Sequence, residues 1–171
     1  VEANPDEIAA IILEPIAHNM GCIEPVDGYL EKLRDLTESN DILLIFDEVI
    51  TVFRHDLGGV QRLEGVTPDL TTMGKAVANG YPASILCGRA EYMEQFKMHS
   101  ETMTGSDPGT VMYGGTYNAQ AATVAAVKHS IRLIEERGLH DHTNEMADIV
   151  TAGIEDLIED IGIEAQVKRY G

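Results

Sequence analysis

The sequence predicts an α/β fold with a mainly parallel sheet flanked by helices. Two apolar runs, residues 8–13 and 42–46, are continuous rather than alternating, as in strands buried on both faces. Between them lies a segment with helical periodicity, so strand, helix and strand follow one another over about 40 residues, the span of a right-handed βαβ unit. Three polar residues, Glu14, Asp47 and Lys75, fall at the carboxyl ends of expected strands. Open α/β sheets bind their ligands beyond such carboxyl ends.

The elements read in order as follows. The run at 8–13 closes at Glu14-Pro15. Asp27 is placed to cap the next helix, which turns Leu30, Leu33 and Leu36 inward and Glu31, Lys32, Arg34 and Asp35 outward, and ends at Ser39-Asn40. The second strand runs into Asp47-Glu48. Gly58-Gly59, Gly65 and Pro68 mark residues 51–68 as loop and short turns. Residues 70–73 form a short strand leading to Gly74-Lys75, Asn79-Gly80-Tyr81-Pro82 is a turn, 83–87 is a strand and 91–97 a short helix. Residues 99–116 read as loop. Long helices are expected over 117–137, stopped by Gly138, and over 143–161, stopped by Gly162.

Composition narrows the function. The chain has 171 residues, 44% of them hydrophobic, which suffices for one domain with a mainly aliphatic core. Its net charge of −17 argues against nucleic acid or an anionic membrane as partner. No apolar run is long enough for a membrane span. Acidic pairs such as Glu135-Glu136, Glu155-Asp156 and Glu159-Asp160 read as solvated helix faces or as adaptation to concentrated salt. Cys22 and Cys87 share no metal or redox spacing and read as free thiols, which fits a reducing cytoplasm. The start at Val1, with no Met and no apolar leader, suggests that residue 1 is not the natural beginning and that no signal peptide is present.

Asp47 follows five apolar residues, so its carboxylate is expected to be partly buried and to need a cation or donors. Of the five lysines, Lys32, Lys97, Lys128 and Lys168 read as solvated surface charges; Lys75 alone stands at a strand-to-loop junction. A lysine in an apolar pocket loses its proton more easily and can attack a carbonyl carbon. From the residues alone two readings stay open for each: Lys75 as nucleophile or as a lysine reaching solvent beside a turn, and Asp47 as a site carboxylate or as the cap of the next turn. His18 reads as a loop histidine, His140 and His142 as a surface pair, and Arg54 and Arg89 as partners in solvent-facing salt bridges, with carboxylate binding as the alternative. No histidine spacing supports a metal site.

Three longer stretches add a resemblance. Phe46-Asp47-Glu48-Val49-Ile50-Thr51-Val52-Phe53-Arg54, Leu57-Gly58-Gly59-Val60-Gln61 and Gly65-Val66-Thr67-Pro68-Asp69-Leu70-Thr71-Thr72-Met73-Gly74-Lys75 resemble class III aminotransferases. Glu14-Pro15-Ile16-Ala17-His18-Asn19-Met20-Gly21 is similar to the Glu-Pro-Val-Ala-Gly-Asn-Met-Gly of their glutamate-1-semialdehyde aminomutase subgroup. Asn19 to Asp47 and Asp47 to Lys75 are each 28 residues apart, as in that subgroup. Gly114-Gly115-Thr116-Tyr117-Asn118 resembles the segment that opens a long helix there.

The resemblance implies the fold of pyridoxal 5'-phosphate (PLP)-dependent transferases of fold type I. Residues 1–138 would be the central part of the large, cofactor-binding domain, and 139–171 the beginning of the small C-terminal domain. It implies that Lys75 is the Schiff-base lysine, that Asp47 holds a proton on the pyridine nitrogen and that Val49 packs on a ring face. Asn19 would reach the ring's phenolic oxygen or the substrate. Thr116, with its N–H at a helix start, would bind the phosphate of the neighbouring subunit's cofactor, which implies a homodimer acting on small amino donors and acceptors.

Two features depart from the aminomutases. Val77-Ala78-Asn79-Gly80-Tyr81-Pro82-Ala83-Ser84 replaces a glycine-rich stretch, and residues 98–113 are longer than their counterpart. Both point toward an ordinary transaminase, with the aminomutase as the alternative. Members of the family are much longer, and their phosphate cradle and stacking aromatic lie upstream of Val1. The chain is therefore expected to be a fragment with exposed sheet edges, and a non-catalytic remnant is a further alternative.

Overall fold

The computed structural model describes residues 1–4, 6–96, 111 and 114–171. Lys97, His99 and most of the loop expected over 99–116 lie outside the described residues.

Four strands, β1 (Ala10–Leu13), β2 (Leu43–Glu48), β3 (Leu70–Met73) and β4 (Ile85–Gly88), form one sheet in the order β1-β2-β3-β4. The β1–β2 and β2–β3 pairs are parallel, and β3–β4 is antiparallel. The third strand has the expected bounds. The helices are α1 (Tyr29–Ser39), α2 (Gly59–Glu64), α3 (Ala90–Met93), α4 (Ala121–Arg137) and α5 (Leu139–Ile161). None of these is long and apolar enough to cross a membrane.

The core lies between α1 and one face of the sheet, where Leu30, Leu44, Phe46 and Val66 are buried and Leu13 and Leu33 pack against them. Helix α1 differs from expectation at both ends of its pattern. Gly28, not Asp27, occupies the N-cap, and Asp27 is exposed. The inward residue one turn beyond Leu33 is Thr37, fully buried, while Leu36 is 40% exposed. Arg34 turns inward as well, because Asp69 waits there: the guanidinium reaches the buried Asp69 carboxylate at 2.8 Å, and the Leu44 N–H donates to the same oxygen at 2.7 Å. Arg89 pairs with the other Asp69 oxygen at 3.2 Å. Asp69 thus ties α1, β2 and the end of β4 together at the opposite end of the strands from Asp47.

The strands are not buried on both faces within this chain. In β2, Leu44, Phe46 and Glu48 are buried, and Leu43, Ile45 and Asp47 are only half so. In β1, Ile12 is 61% exposed. The apolar composition reads a two-sided environment, but the described residues supply a close-packed layer on one side only. A stripe on α5, including Ile149, Leu157 and Ile161, is likewise exposed. The acidic pairs Glu135-Glu136, Glu155-Asp156 and Glu159-Asp160 are exposed, as expected.

Three element boundaries are corrected. Residues 51–68 contain α2, which the glycines at its start had disguised as loop. Helix α4 opens at Ala121, after an exposed turn over residues 116–119. Helix α5 begins at Leu139, immediately after the left-handed Gly138.

Candidate active site

Consecutive residues of a strand point to opposite faces, and at the end of β2 this separates two carboxylates. Glu48 is fully buried. Its Oε2 accepts from the Val60 N–H at 2.7 Å and the Thr51 hydroxyl at 3.0 Å, and its Oε1 from Gln61 Nε2 at 3.2 Å. Glu48 therefore caps the start of α2. Gly59 makes room for it: the residue adopts φ +70°, and a Cβ there would lie 2.4 Å from Glu48 Oε2. Both the conformation and the space require glycine.

Asp47 faces the other way and is half-buried. Its Oδ1 accepts from the Val49 N–H at 3.1 Å and from the Thr72 hydroxyl at 3.4 Å. Oδ2 has no partner among the described residues. The two open readings of Asp47 are thus both realised on one carboxylate: Oδ1 caps the following turn, and Oδ2 remains available.

Lys75 follows β3, the neighbour of β2, two residues beyond Met73, so it emerges at the same sheet edge as Asp47. It is exposed within this chain rather than enclosed by an apolar pocket, because the described residues leave that side open. Lys75 adopts φ +44° at the start of a single 3-10 turn, Lys75–Val77. A left-handed non-glycine residue costs on the order of 1–3 kcal/mol and clusters at functional sites. The buried Gly74 before it has extended backbone, and a Cβ there would meet Val49 Cγ1 at 3.2 Å. Gly74 therefore lets Val49 sit against the strand that delivers Lys75.

The turn after β1 completes the edge. Asn19 lies exposed in a 3-10 turn, His18–Met20. His18 is held below its ordinary pKa, first by burial and then by Arg54, with Lys75 a smaller contributor in the same direction. Cys22 Sγ lies 3.5 Å from His18 Nδ1. His18 Nε2 and Glu14 Oε2 are buried atoms with no hydrogen-bond partner among the described residues.

Thr116 stands apart from this group. It is exposed on the turn before α4, five residues ahead of the helix, so its N–H is not at a helix N-terminus. Arg89 bridges the exposed Glu91, as a surface salt bridge would, but also the buried Asp69, whereas Arg54 donates to the Ile50 carbonyl. His140 bonds the Phe53 carbonyl at 2.9 Å, and no His/Cys/Asp/Glu group among the described residues could hold a metal ion. Both cysteines are free.

The fold is that of the PLP-dependent transferases of fold type I. The structure of an ω-transaminase from Sphaerobacter thermophilus is 35% identical and superposes with a TM-score of 0.83, covering 99% of this chain and 37% of its own. A structure described as a transaminase with PLP bound, 24% identical, matches the fold with the same TM-score. The aminotransferase class-III family model matches residues 1–171, and the chain belongs to that family. Among curated relatives, the glutamate-1-semialdehyde 2,1-aminomutases of Methanothermobacter thermautotrophicus and Methanocaldococcus jannaschii are each 42% identical over 167 residues. The chain spans 37% of the length of these relatives.

Glu48 and Asp69 are the functionally relevant residues that the sequence reading missed. Each holds the frame of the site rather than facing it. The signal for Glu48 was Gly58-Gly59 at a distance of ten residues, which a helix start explains better than a loop.

Proposed function

We propose that the intact protein is a PLP-dependent aminotransferase, with residues 1–138 in its large domain and 139–171 opening its small domain. The observation that carries this reading is the pairing at one sheet edge of a carboxylate with one tethered and one open oxygen, Asp47, and a strained lysine, Lys75. The residues fit the cofactor. An open carboxylate oxygen suits a pyridine N–H, an exposed amine suits an aldehyde, and Val49 offers an apolar surface backed by Gly74.

PLP, when bound, supplies an electron sink conjugated to the substrate carbon and an aldehyde that carries the amino group. Asp47 would hold the pyridine N–H through Oδ2 and keep that proton in place. The Lys75 amine would hold PLP through its aldehyde and, when free, would take and return a proton at the substrate carbon. Val49 limits ring motion and excludes water from one face. Asn19 offers its amide to the ring oxygen or the substrate, and Thr116 serves the phosphate in a neighbouring subunit of a homodimer. The setting is a reducing cytoplasm, and the substrates are small amino donors and acceptors.

A second reading, intramolecular amino transfer as in glutamate-1-semialdehyde aminomutase, is favoured by the 42% identity to proteins of that name. The residues at 77–84, which lack the glycine-rich stretch, favour intermolecular transfer. The test is direct. The full-length protein, loaded with PLP, is offered a panel of amino donors with a keto-acid acceptor, and separately glutamate-1-semialdehyde. Turnover of a donor–acceptor pair is expected. Turnover of the semialdehyde alone would assign the aminomutase, and no turnover of either would refute the proposal.

A further inference from the structure

Two consecutive threonines of β3 stand beside the two consecutive carboxylates of β2. The register pairs Asp47 with Thr72 and Phe46 with Thr71. Parallel neighbours in register project to the same face, so Thr72 shares the Asp47 face and Thr71 the opposite one. The hydrogen bonds follow this division. Thr71 is buried and its hydroxyl receives Gln61 Nε2 at 3.3 Å, which joins it to the Glu48 cap. The Thr72 hydroxyl donates to Asp47 Oδ1 at 3.4 Å.

Val49 N–H donates to that same oxygen at 3.1 Å. One donor leaves a carboxylate free to swing about the O···H–N line; two donors, one from the turn after β2 and one from β3, define its orientation through Oδ1 and leave Oδ2 to a further partner. A threonine suits this task because branching at Cβ restricts its χ1, so the hydroxyl is positioned before any ligand arrives.

We propose that Thr72 is a positioning residue for Asp47, its hydroxyl holding Oδ1 so that Oδ2 meets the cofactor's ring nitrogen. This rests on the cofactor reading above. Thr71 and Thr72 thus differ in role although they are identical and adjacent, one belonging to the frame and the other to the site.

The experiment uses the full-length, PLP-loaded protein with Thr72→Val, which keeps the shape and removes the donor, and Thr72→Ser, which keeps the donor. A hydrogen bond to a charged group sets the scale, so kcat should fall about tenfold or more in Thr72→Val with KM little changed. Thr72→Ser should recover most of the loss. Ring-15N-labelled PLP should show a nitrogen signal displaced toward the unprotonated position in Thr72→Val and not in Thr72→Ser. In an Asp47→Ala background, Thr72→Val should leave PLP affinity unaltered, since Thr72 acts through Asp47. Wild-type kcat and 15N signal in Thr72→Val would overturn the proposal, as would an equal loss of affinity in both backgrounds. If Thr72→Val fails to fold, Thr72→Ala carries the same readouts. A wild-type protein that takes up no PLP contradicts the proposed function itself, whereas normal uptake with an unaltered Thr72→Val contradicts the role of Thr72 alone.

Discussion

Asp47 and Glu48 are the same chemical group on consecutive residues of one strand, and the two faces of β2 treat them in opposite ways. Glu48 is fully buried and saturated by donors from α2, Thr51 and Gln61. Asp47 is half-buried and keeps one oxygen open among the described residues. A satisfied buried carboxylate has no capacity left for a ligand, so its contribution is to the fold. An oriented carboxylate with an unused oxygen is equipped to receive a donor from outside the chain. The contrast separates frame from site without reference to any relative.

Substitutions should divide along the same line. The largest expected effect is on turnover: Asp47→Ala in the full-length protein removes the acceptor for the ring N–H and should raise the barrier by about 4 kcal/mol or more, roughly a thousandfold in kcat. Its stability in urea should change little. The reverse holds for Glu48→Ala, which strips acceptors from buried donors that cost about 1–3 kcal/mol each when left unpaired. A loss of about 3 kcal/mol in urea unfolding is expected, and Glu48→Gln should lose less. Should Asp47→Ala destabilise the fold as much as Glu48→Ala, the two faces would not differ as described.

A smaller effect concerns the histidines behind the site. His18 and His55 are both held below their ordinary 6.5, each mainly by burial, and the Tyr170 ring packs edge-on against both. The unfolded chain then binds protons at higher pH than the folded one. The stability tied to these rings is present above pH 6.5 and is lost as pH falls below it through the folded values. Melting temperatures of His18→Asn and His55→Asn variants should therefore decline less than wild type on acidification. A decline equal to wild type would remove the histidines from the account.

Much of the fold was legible because strand ends carry information. Continuous apolar runs located β1 and β2, the short segment before Gly74 located β3, and the polar residues at the strand ends located Asp47 and Lys75. Asp47 could be read as partly buried and in need of donors, and it is. Glu48 could not be separated from it, since its partners come from a helix that begins with glycines and reads as loop. The orientation of Thr72 depends on register, which only pairing reveals. Lys75 could be read as a nucleophile in an apolar pocket or as a lysine reaching solvent beside a turn; it is exposed in this chain, and a pocket would need walls from elements that the local sequence around Lys75 does not name. The start of α4 was placed at Tyr117, since nothing in residues 116–119 marks the extra turn that sets Thr116 apart from the helix.

The central claim is that Lys75 is the covalent anchor, with Asp47 beside it. It is tested most directly by incubating the full-length protein with PLP, reducing with borohydride and mapping the labelled peptide by mass spectrometry. One label per chain is expected, on Lys75, absent in Lys75→Ala and retained in Asp47→Ala. A label on another lysine, or its persistence in Lys75→Ala, would contradict it.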